Sequence, residues 1–168
     1  MIAIRWSTEQ DAESLAALHR DAWRNAYAGI IPGLTLERML ASRGPGWWRR
    51  AHARGMHALL VEIGDLGADP TLEGYATLGR WRGGGGAGGE IYELYLRPEA
   101  QGIGLGRRLF EAARDELRRH GLTRLQVWAL ADNETACRFY AAMGGRPASR
   151  DRQRLGDREL PKVGFRWD

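Results

Sequence analysis

Apolar and polar positions repeat along this chain with two different periods, which separate strands from helices. Ile2 and Ile4 stand two residues apart, as in a half-buried strand. Leu15, Leu18 and Ala22 recur at spacings of three and four residues, as on one face of a helix. The pattern therefore predicts a short first strand followed by a long amphipathic helix.

The middle of the chain carries the most regular helical stripe, with a strand predicted on each side of it. The stripe predicts a helix over about 105–120, between strands at 90–97 and 125–130, and consists of Leu105, Leu109, Ala113 and Leu117. Two strands joined through a helix run parallel, with a right-handed crossover. Further strands are predicted at 57–63, 73–79, 146–153 and 159–167, and further helices at 35–40, where Thr35 is the predicted cap, at 47–54, and from Asp132 or Asn133 to Met143.

Glycines lie between the strand at 90–97 and the helix that follows it, in the run Gln101-Gly102-Ile103-Gly104-Leu105-Gly106. Backbone N–H groups at a helix start form an anion site, and glycine lets a ligand approach closely. The spacing fits neither the Rossmann nor the Walker fingerprint, so on the glycines alone an ordinary turn fits equally well. Arg107 and Arg108 oppose the helix dipole, which favours a bound polyanion, although they are also explained as solvated surface residues.

A second glycine run, at 83–89, precedes no predicted helix and is interpreted as a connector. The composition is that of one globular domain: 168 residues, 43% hydrophobic and 27% charged. No apolar run approaches the ~20 residues of a membrane span, no signal peptide is visible, and the single Cys137 fits a reducing compartment. These features predict a cytoplasmic protein that does not act at a membrane.

The net charge is +4, and Lys162 is the sole lysine. No basic run is interleaved with aromatic residues, so a nucleic-acid partner is not expected. The four histidines have no metal-ligand spacing, and no metal is expected.

Two segments together resemble the GNAT superfamily of N-acetyltransferases. The run from Leu94 to Gly106 resembles its acetyl-CoA loop, Gln/Arg-x-x-Gly-x-Gly/Ala, which Gln101, Gly104 and Gly106 satisfy. The run Asn133–Tyr140 resembles the family's helix with Asn at its start and Phe-Tyr near its end.

The resemblance implies one N-acetyltransferase domain over residues 1–168 with an α/β (α+β) GNAT fold. Its mixed, mostly antiparallel sheet of six to seven strands would be splayed at one parallel pair, with about four helices on its faces. The implied co-substrate is acetyl-CoA, with the pantetheine arm in the splayed gap and the diphosphate on the loop. The residues implied to bind it are Leu94, Tyr95, Leu96, Gln101, Gly102, Ile103, Gly104, Leu105, Gly106, Arg107, Asn133 and Tyr140.

The implied reaction is direct acetyl transfer to a primary amine of a small molecule or peptide. Tyr140 matches the family's acid for the leaving thiolate, with a core aromatic as the alternative. Glu90 and Glu93 are the candidate bases; their odd spacing puts them on opposite faces of a regular strand, and a bulge would bring them to one face. Glu90 is slightly favoured because it stands where the histone-modifying branch carries its base, whereas Glu93 stands closer to where the acetyl group would lie, and either is alternatively a solvent-facing residue. Many relatives have no dedicated base, and a water chain is the further alternative.

On the acceptor side, Trp23 and Tyr27 are candidates to enclose the amine, although such residues more often fill the core. Asn133 is either a contact to the cofactor or a helix cap, and the two roles are compatible. Competing interpretations are a catalytically idle CoA-binding sensor or assembly module and an arginine-based nucleic-acid binder. A homodimer is common in the family, and the sequence does not decide it.

Overall fold

The computed structural model describes residues 1–65, 67–83 and 88–168. Its centre is a sheet of seven strands in the order β1-β2-β3-β4-β5-β7-β6. The strands are β1 (Ile2–Trp6), β2 (Leu59–Ile63), β3 (Thr71–Arg80), β4 (Gly88–Leu96), β5 (Arg124–Leu130), β6 (Arg146–Leu155) and β7 (Arg158–Trp167). Most of the predicted glycine connector, residues 84–87, lies outside the described residues.

The described residues form five α-helices, one more than the predicted four. They are α1 (Ala12–Tyr27), α2 (Gly33–Ser42), α3 (Pro45–Ala53), α4 (Leu105–Arg119) and α5 (Glu134–Ala142). Short 3-10 turns lie at Glu9–Asp11 and Pro98–Ala100. The prediction that Thr35 caps the second helix is wrong, because α2 begins at Gly33 with Pro32 at its cap position.

The sheet is antiparallel except between β4 and β5, as predicted. These two strands pair from Gly88 opposite Arg124 to Ile91 opposite Val127, and the ladder stops there. β4 nevertheless continues to Leu96, and β5 continues along β7 to Leu130. The two strands therefore separate at their C-terminal ends, which is the expected splay of the GNAT fold.

A bulge in β4 reverses the side-chain alternation just before the splay. Thr77 of β3 lies opposite Glu93, but the next residue, Leu78, lies opposite Ile91, so Tyr92 is the extra residue. Because side chains alternate along both strands, Glu90 and Glu93 project to the same face of the sheet. The bulge therefore has the predicted effect of bringing these two carboxylates to one face.

The two faces of the sheet have separate cores. On one face, α4 packs with its predicted stripe, and Leu105, Leu109 and Ala113 are fully buried. Each such leucine contributes about 1.5–3 kcal/mol of burial free energy. On the other face, α1 and α3 pack over β2 and β3, with Leu18 and Tyr75 fully buried. The gap between β4 and β5 therefore lies between two packed layers.

Candidate active site

A cavity of about 490 Å³ occupies the gap between β4 and β5. Its walls are α1, the last residues of β4, the glycine loop, β5 and α5. The predicted site residues on its wall are Tyr27, Glu93, Leu94, Tyr95, Leu96, Gln101, Gly102, Gly104, Gly106, Arg107, Asn133 and Tyr140. Four predicted site residues are not on the wall: Trp23, Glu90, Ile103 and Leu105.

The glycine loop and the first turn of α4 line one end of the cavity. Gly102 and Gly104 have positive φ angles, 79° and 88°, which favour glycine, and Gly104 is the N-cap of α4. The first helical amide with a backbone acceptor is that of Arg108, which donates to the carbonyl of Gly104 at 3.2 Å. The amides at positions 105–107 precede it and are free to bind an anion.

Gly106 has a packing reason to be glycine. A Cβ on this residue would lie 3.3 Å from the ring of Phe139 and 3.4 Å from Leu96. Because Gly106 has no side chain, α4 can pass close to both α5 and the end of β4. Any larger residue would push these walls apart or reach into the cavity.

Helix α5 carries the two residues of the second motif. Asn133 caps it, accepting a hydrogen bond from the amide of Ala136 at 3.2 Å, and also lies on the cavity wall. Tyr140 is buried and packs against Phe110, Phe165 and Trp167 while also lining the cavity. Burial raises the pKa of Tyr140, so the phenol keeps its proton. Asn133 can therefore be both a helix cap and a contact to the cofactor. Tyr140 can likewise be both a core aromatic and the acid.

Glu93 lies on the cavity wall at the centre of a hydrogen-bond network. Arg43 donates to both its oxygens, at 2.8 and 3.0 Å. Hydroxyls of Tyr75 and Thr77 donate at 3.1 and 3.2 Å. Burial alone raises the pKa of Glu93, but the charge and hydrogen bonds of Arg43 outweigh it and lower the pKa. The carboxylate is thus ionised and already accepts four hydrogen bonds.

The Glu93 network continues to a buried histidine. Nδ1 of His19 lies 2.8 Å from the hydroxyl oxygen of Tyr75. Since the single hydroxyl proton of Tyr75 is directed at Glu93, Nδ1 of His19 is the donor in this bond. Burial, with the nearby charge of Arg43, lowers the pKa of His19 to about 3, so this ring is neutral. His19 therefore stabilises the network as a neutral donor.

Glu90 lies in the paired part of β4, away from the cavity. Its carboxylate accepts hydrogen bonds from the amide of Arg82 at 2.9 Å and from the guanidinium of the same residue at 3.0 Å. Its side chain is 3% exposed. In this position Glu90 anchors Arg82, just beyond the end of β3, to the sheet.

The two predicted acceptor aromatics have different positions. Tyr27 lines the cavity, and its hydroxyl lies 2.5 Å from that of Tyr95. Trp23 lies behind Tyr27, with ring centres 5.0 Å apart, and packs on His19 at 4.7 Å. The structure therefore brings Tyr27 to the site and leaves Trp23 as its support.

Several wall and network residues were not predicted. Trp128 and Tyr92 line the cavity, and Arg43 neutralises Glu93. The sequence did contain a signal for Trp128, which stands two residues before the end of the strand that leads to the motif helix. Arg43 had none, because its contact with Glu93 spans fifty residues of chain.

Two negative findings concern the described residues. No three His, Cys, Asp or Glu side chains among them are grouped so that they could hold a metal ion. None of the helices among residues 1–65, 67–83 and 88–168 combines the length and apolar composition that crossing a bilayer requires.

Comparisons with known proteins agree with this geometry. A model of the acetyltransferase (GNAT) family matches residues 20–144. The chain is 28% identical to YuaI of Bacillus subtilis (strain 168), an uncharacterized N-acetyltransferase, over 99% of this chain and 93% of the relative.

Solved structures share the fold. PaiA N-acetyltransferase from Thermoplasma acidophilum, in complex with coenzyme A, aligns with a TM-score of 0.74 at 22% identity, over 96% of this chain and 98% of that one. YncA from Salmonella typhimurium, with its cofactor acetyl-CoA, aligns with a TM-score of 0.67 at 23% identity, over 99% and 92%. The family model covers most of the chain, and this protein belongs to the acetyltransferase (GNAT) family.

Proposed function

We propose that this protein transfers an acetyl group from acetyl-CoA directly to a primary amine of a small molecule or peptide. The observation that carries the proposal is the arrangement of one cavity: it joins an anion-binding helix start to a buried, protonated Tyr140 across a gap between two strands. A thioester with a diphosphate tail fits such a cavity, because the helix start can bind the diphosphate and Tyr140 can protonate the leaving sulfur.

In this proposal the diphosphate lies on the amides from Gln101 to Arg107, and the guanidinium of Arg107 adds positive charge. The pantetheine arm runs along the unpaired edge of β4 at Leu94, Tyr95 and Leu96, pairing with the backbone as an added strand would. Asn133 contacts the arm from the start of α5. PaiA and YncA, which share this fold, contain coenzyme A and acetyl-CoA, and this supports coenzyme A as the type of ligand.

The chemistry follows from the groups on the cavity wall. The nitrogen of a neutral amine attacks the thioester carbonyl, the carbon–sulfur bond breaks, and the electron pair leaves on sulfur. The ammonium nitrogen of the adduct loses one proton to water, Tyr140 donates its phenolic proton to the leaving thiolate, and water returns a proton to the Tyr140 oxygen. The raised pKa of Tyr140 keeps this donor protonated over the whole neutral range.

We assign the proton acceptor to water rather than to either glutamate. Glu93 already accepts four hydrogen bonds and has a lowered pKa, so it has neither a free lone pair nor the basicity of a good general base. Glu90 is held by Arg82 outside the cavity. Of the three candidates, the water chain agrees best with these positions. Tyr27, with Tyr95 behind its hydroxyl, is proposed to contact the acceptor, and Trp23 to support Tyr27.

Several finer predictions accompany this function. The following stay predictions: a single domain over residues 1–168, a cytoplasmic location, the absence of nucleic-acid and membrane partners, and a homodimer.

The proposal is tested by incubating the protein with acetyl-CoA and a panel of amines and peptides and measuring the released thiol. Acetylation of at least one amine, lost in Tyr140→Phe with acetyl-CoA affinity retained, is the expected result. An idle CoA-binding module predicts binding of acetyl-CoA with no amine-dependent thiol release, and that result would overturn the proposed function.

A further inference from the structure

The acceptor end of the cavity has no uncompensated charge on its wall. Among the described residues that line the cavity, the charged ones are Glu93 and Arg107. Arg107 lies in the first turn of α4, at the glycine-loop end, and Arg43 neutralises Glu93 through two hydrogen bonds. The rest of the acceptor end consists of small, amide and aromatic side chains: Ala22, Asn25, Ala26, Tyr27, Tyr92 and Trp128.

Two of these aromatic rings each carry a cation. The guanidinium of Arg82 lies 4.1 Å from the ring centre of Tyr92, and Nζ of Lys162 lies 4.7 Å from that of Trp128. Arg82 is paired with Glu90. Lys162 stands opposite Leu130 in the β5–β7 ladder, so its side chain shares the sheet face of Trp128. Positive charge therefore lies directly beside the acceptor wall.

The charge of Lys162 is not neutralised by the acidic residue opposite it in the sheet. Asp151 is its partner across the β6–β7 ladder, but the two side chains form no ion pair. The carboxylate of Asp151 instead accepts a hydrogen bond from the amide of Arg152 at 2.8 Å. Nζ of Lys162 donates to the amide oxygen of Gln153 at 3.3 Å, a neutral partner. The positive charge of Lys162 is therefore available to a ligand.

Acidic groups on the helices across the cavity are already occupied. Asp21 of α1 pairs with Arg97, and Glu37 of α2 pairs with Arg24. Each of these carboxylates already has a guanidinium partner. A polycation bound against Trp128 would place a second positive charge beside Lys162, and this repulsion disfavours it.

We propose that the acceptor is an amine with an apolar or aromatic body that carries one carboxylate, and that Lys162 is the residue that selects it. The inference rests on the proposed acetyl transfer and deepens it. The reacting amine enters the gap between β4 and β5, the body lies against Tyr92 and Trp128, and the carboxylate lies at Lys162. The single positive charge of Lys162 matches a single negative charge on the acceptor.

Three amines with the same ring and the same reacting group test this assignment. They are 4-(aminomethyl)benzoate, 4-methylbenzylamine and 4-(aminomethyl)benzylamine, which carry a negative, a neutral and a positive substituent at the same position. We expect kcat/KM to be highest for the benzoate and lowest for the diamine. Substituting Lys162→Gln should lower kcat/KM for the benzoate about five- to tenfold, as expected for a charge-assisted contact near the surface, and leave the neutral amine unchanged.

The matched control is Lys162→Arg, which keeps the charge and should keep the order of the three amines. Lys162→Glu should favour the diamine over the benzoate. The proposal is overturned by equal kcat/KM for the three amines, by preference for the diamine in the unchanged protein, by an equal effect of Lys162→Gln on all three, or by no acetylation of any at millimolar concentration. The proposed function fails separately, through the acetyl-CoA binding and Tyr140→Phe measurements.

Discussion

The Arg43–Glu93 pair allows a quantitative test of how the cavity wall is held together. Replacing Arg43 with Met removes two hydrogen bonds to Glu93, at 2.8 and 3.0 Å, and keeps most of the side-chain volume between Trp47 and Trp48. The side chains of Arg43 and Glu93 are 16% and 15% exposed. Removing one partner of a buried pair costs about 3–5 kcal/mol, because the remaining charge is left buried.

For a chain of this size, about 2–4 °C of melting temperature corresponds to each kcal/mol, so Arg43→Met should melt roughly 6–20 °C lower at pH 7. Thermal and urea denaturation measure the loss. The double variant Arg43→Met/Glu93→Gln should recover much of it, because no unpaired charge remains. Arg24→Met breaks an exposed pair with Glu37 on the same side of the sheet and should leave the melting temperature nearly unchanged.

The pH dependence of the free energy of unfolding tests the Arg43→Met effect independently. In the unchanged protein the pKa of Glu93 is lowered, so its stabilisation is present above the usual value of 4.5 and is lost as the pH falls. In Arg43→Met, burial without the cation raises the pKa of Glu93, so protonation relieves the cost as the pH falls. The stability gap between the two proteins should narrow from pH 7 to pH 5. A loss below about 1 kcal/mol, or a gap that widens at pH 5, would refute the reasoning.

Three further predictions concern the proposed chemistry and the loop. Tyr140→Phe should lower kcat by about 10²–10⁴ while the Kd of acetyl-CoA, measured by calorimetry, stays the same; unchanged kcat would remove Tyr140 from the reaction. Because burial raises the pKa of Tyr140, kcat should not fall between pH 8 and pH 10, and a decrease in that interval, in a stopped assay of released thiol, would contradict its role as the acid. Gly106→Val should weaken acetyl-CoA binding, because the new side chain meets Phe139 and Leu96. The control is Gly121→Ala at the far end of α4, where φ is 76°; the strain there should change stability and not the affinity for acetyl-CoA.

Local patterns predicted the parts of the fold that depend on neighbours in the sequence. The stripe from Leu105 to Leu117 requires one buried helix face, and the structure has that helix at Leu105–Arg119. The flanking apolar runs could only form a parallel pair, because a helix joins them. The splay and the mixed sheet came from the family resemblance, since no residue pattern of β4 shows where its ladder with β5 stops.

The parts that escaped prediction depend on contacts distant in sequence. The alternation of Glu90 and Glu93 depends on the bulge at Tyr92, which the register with β3 determines. The charge state of Glu93 depends on Arg43, which follows the last residue of α2. Neither relation leaves a local signature, so the sequence named two candidate carboxylates but could not tell which of them faces the cavity.

The central claim is that the amides at the start of α4 bind the diphosphate of coenzyme A beside the separated ends of β4 and β5. Titration calorimetry at moderate ionic strength with acetyl-CoA and with acetyl-pantetheine, which lacks the diphosphate and nucleotide, tests it most directly. Saturable heat with acetyl-CoA and none with acetyl-pantetheine at the same concentration is the predicted result. No heat with acetyl-CoA, or equal affinity for the two compounds, would contradict the claim.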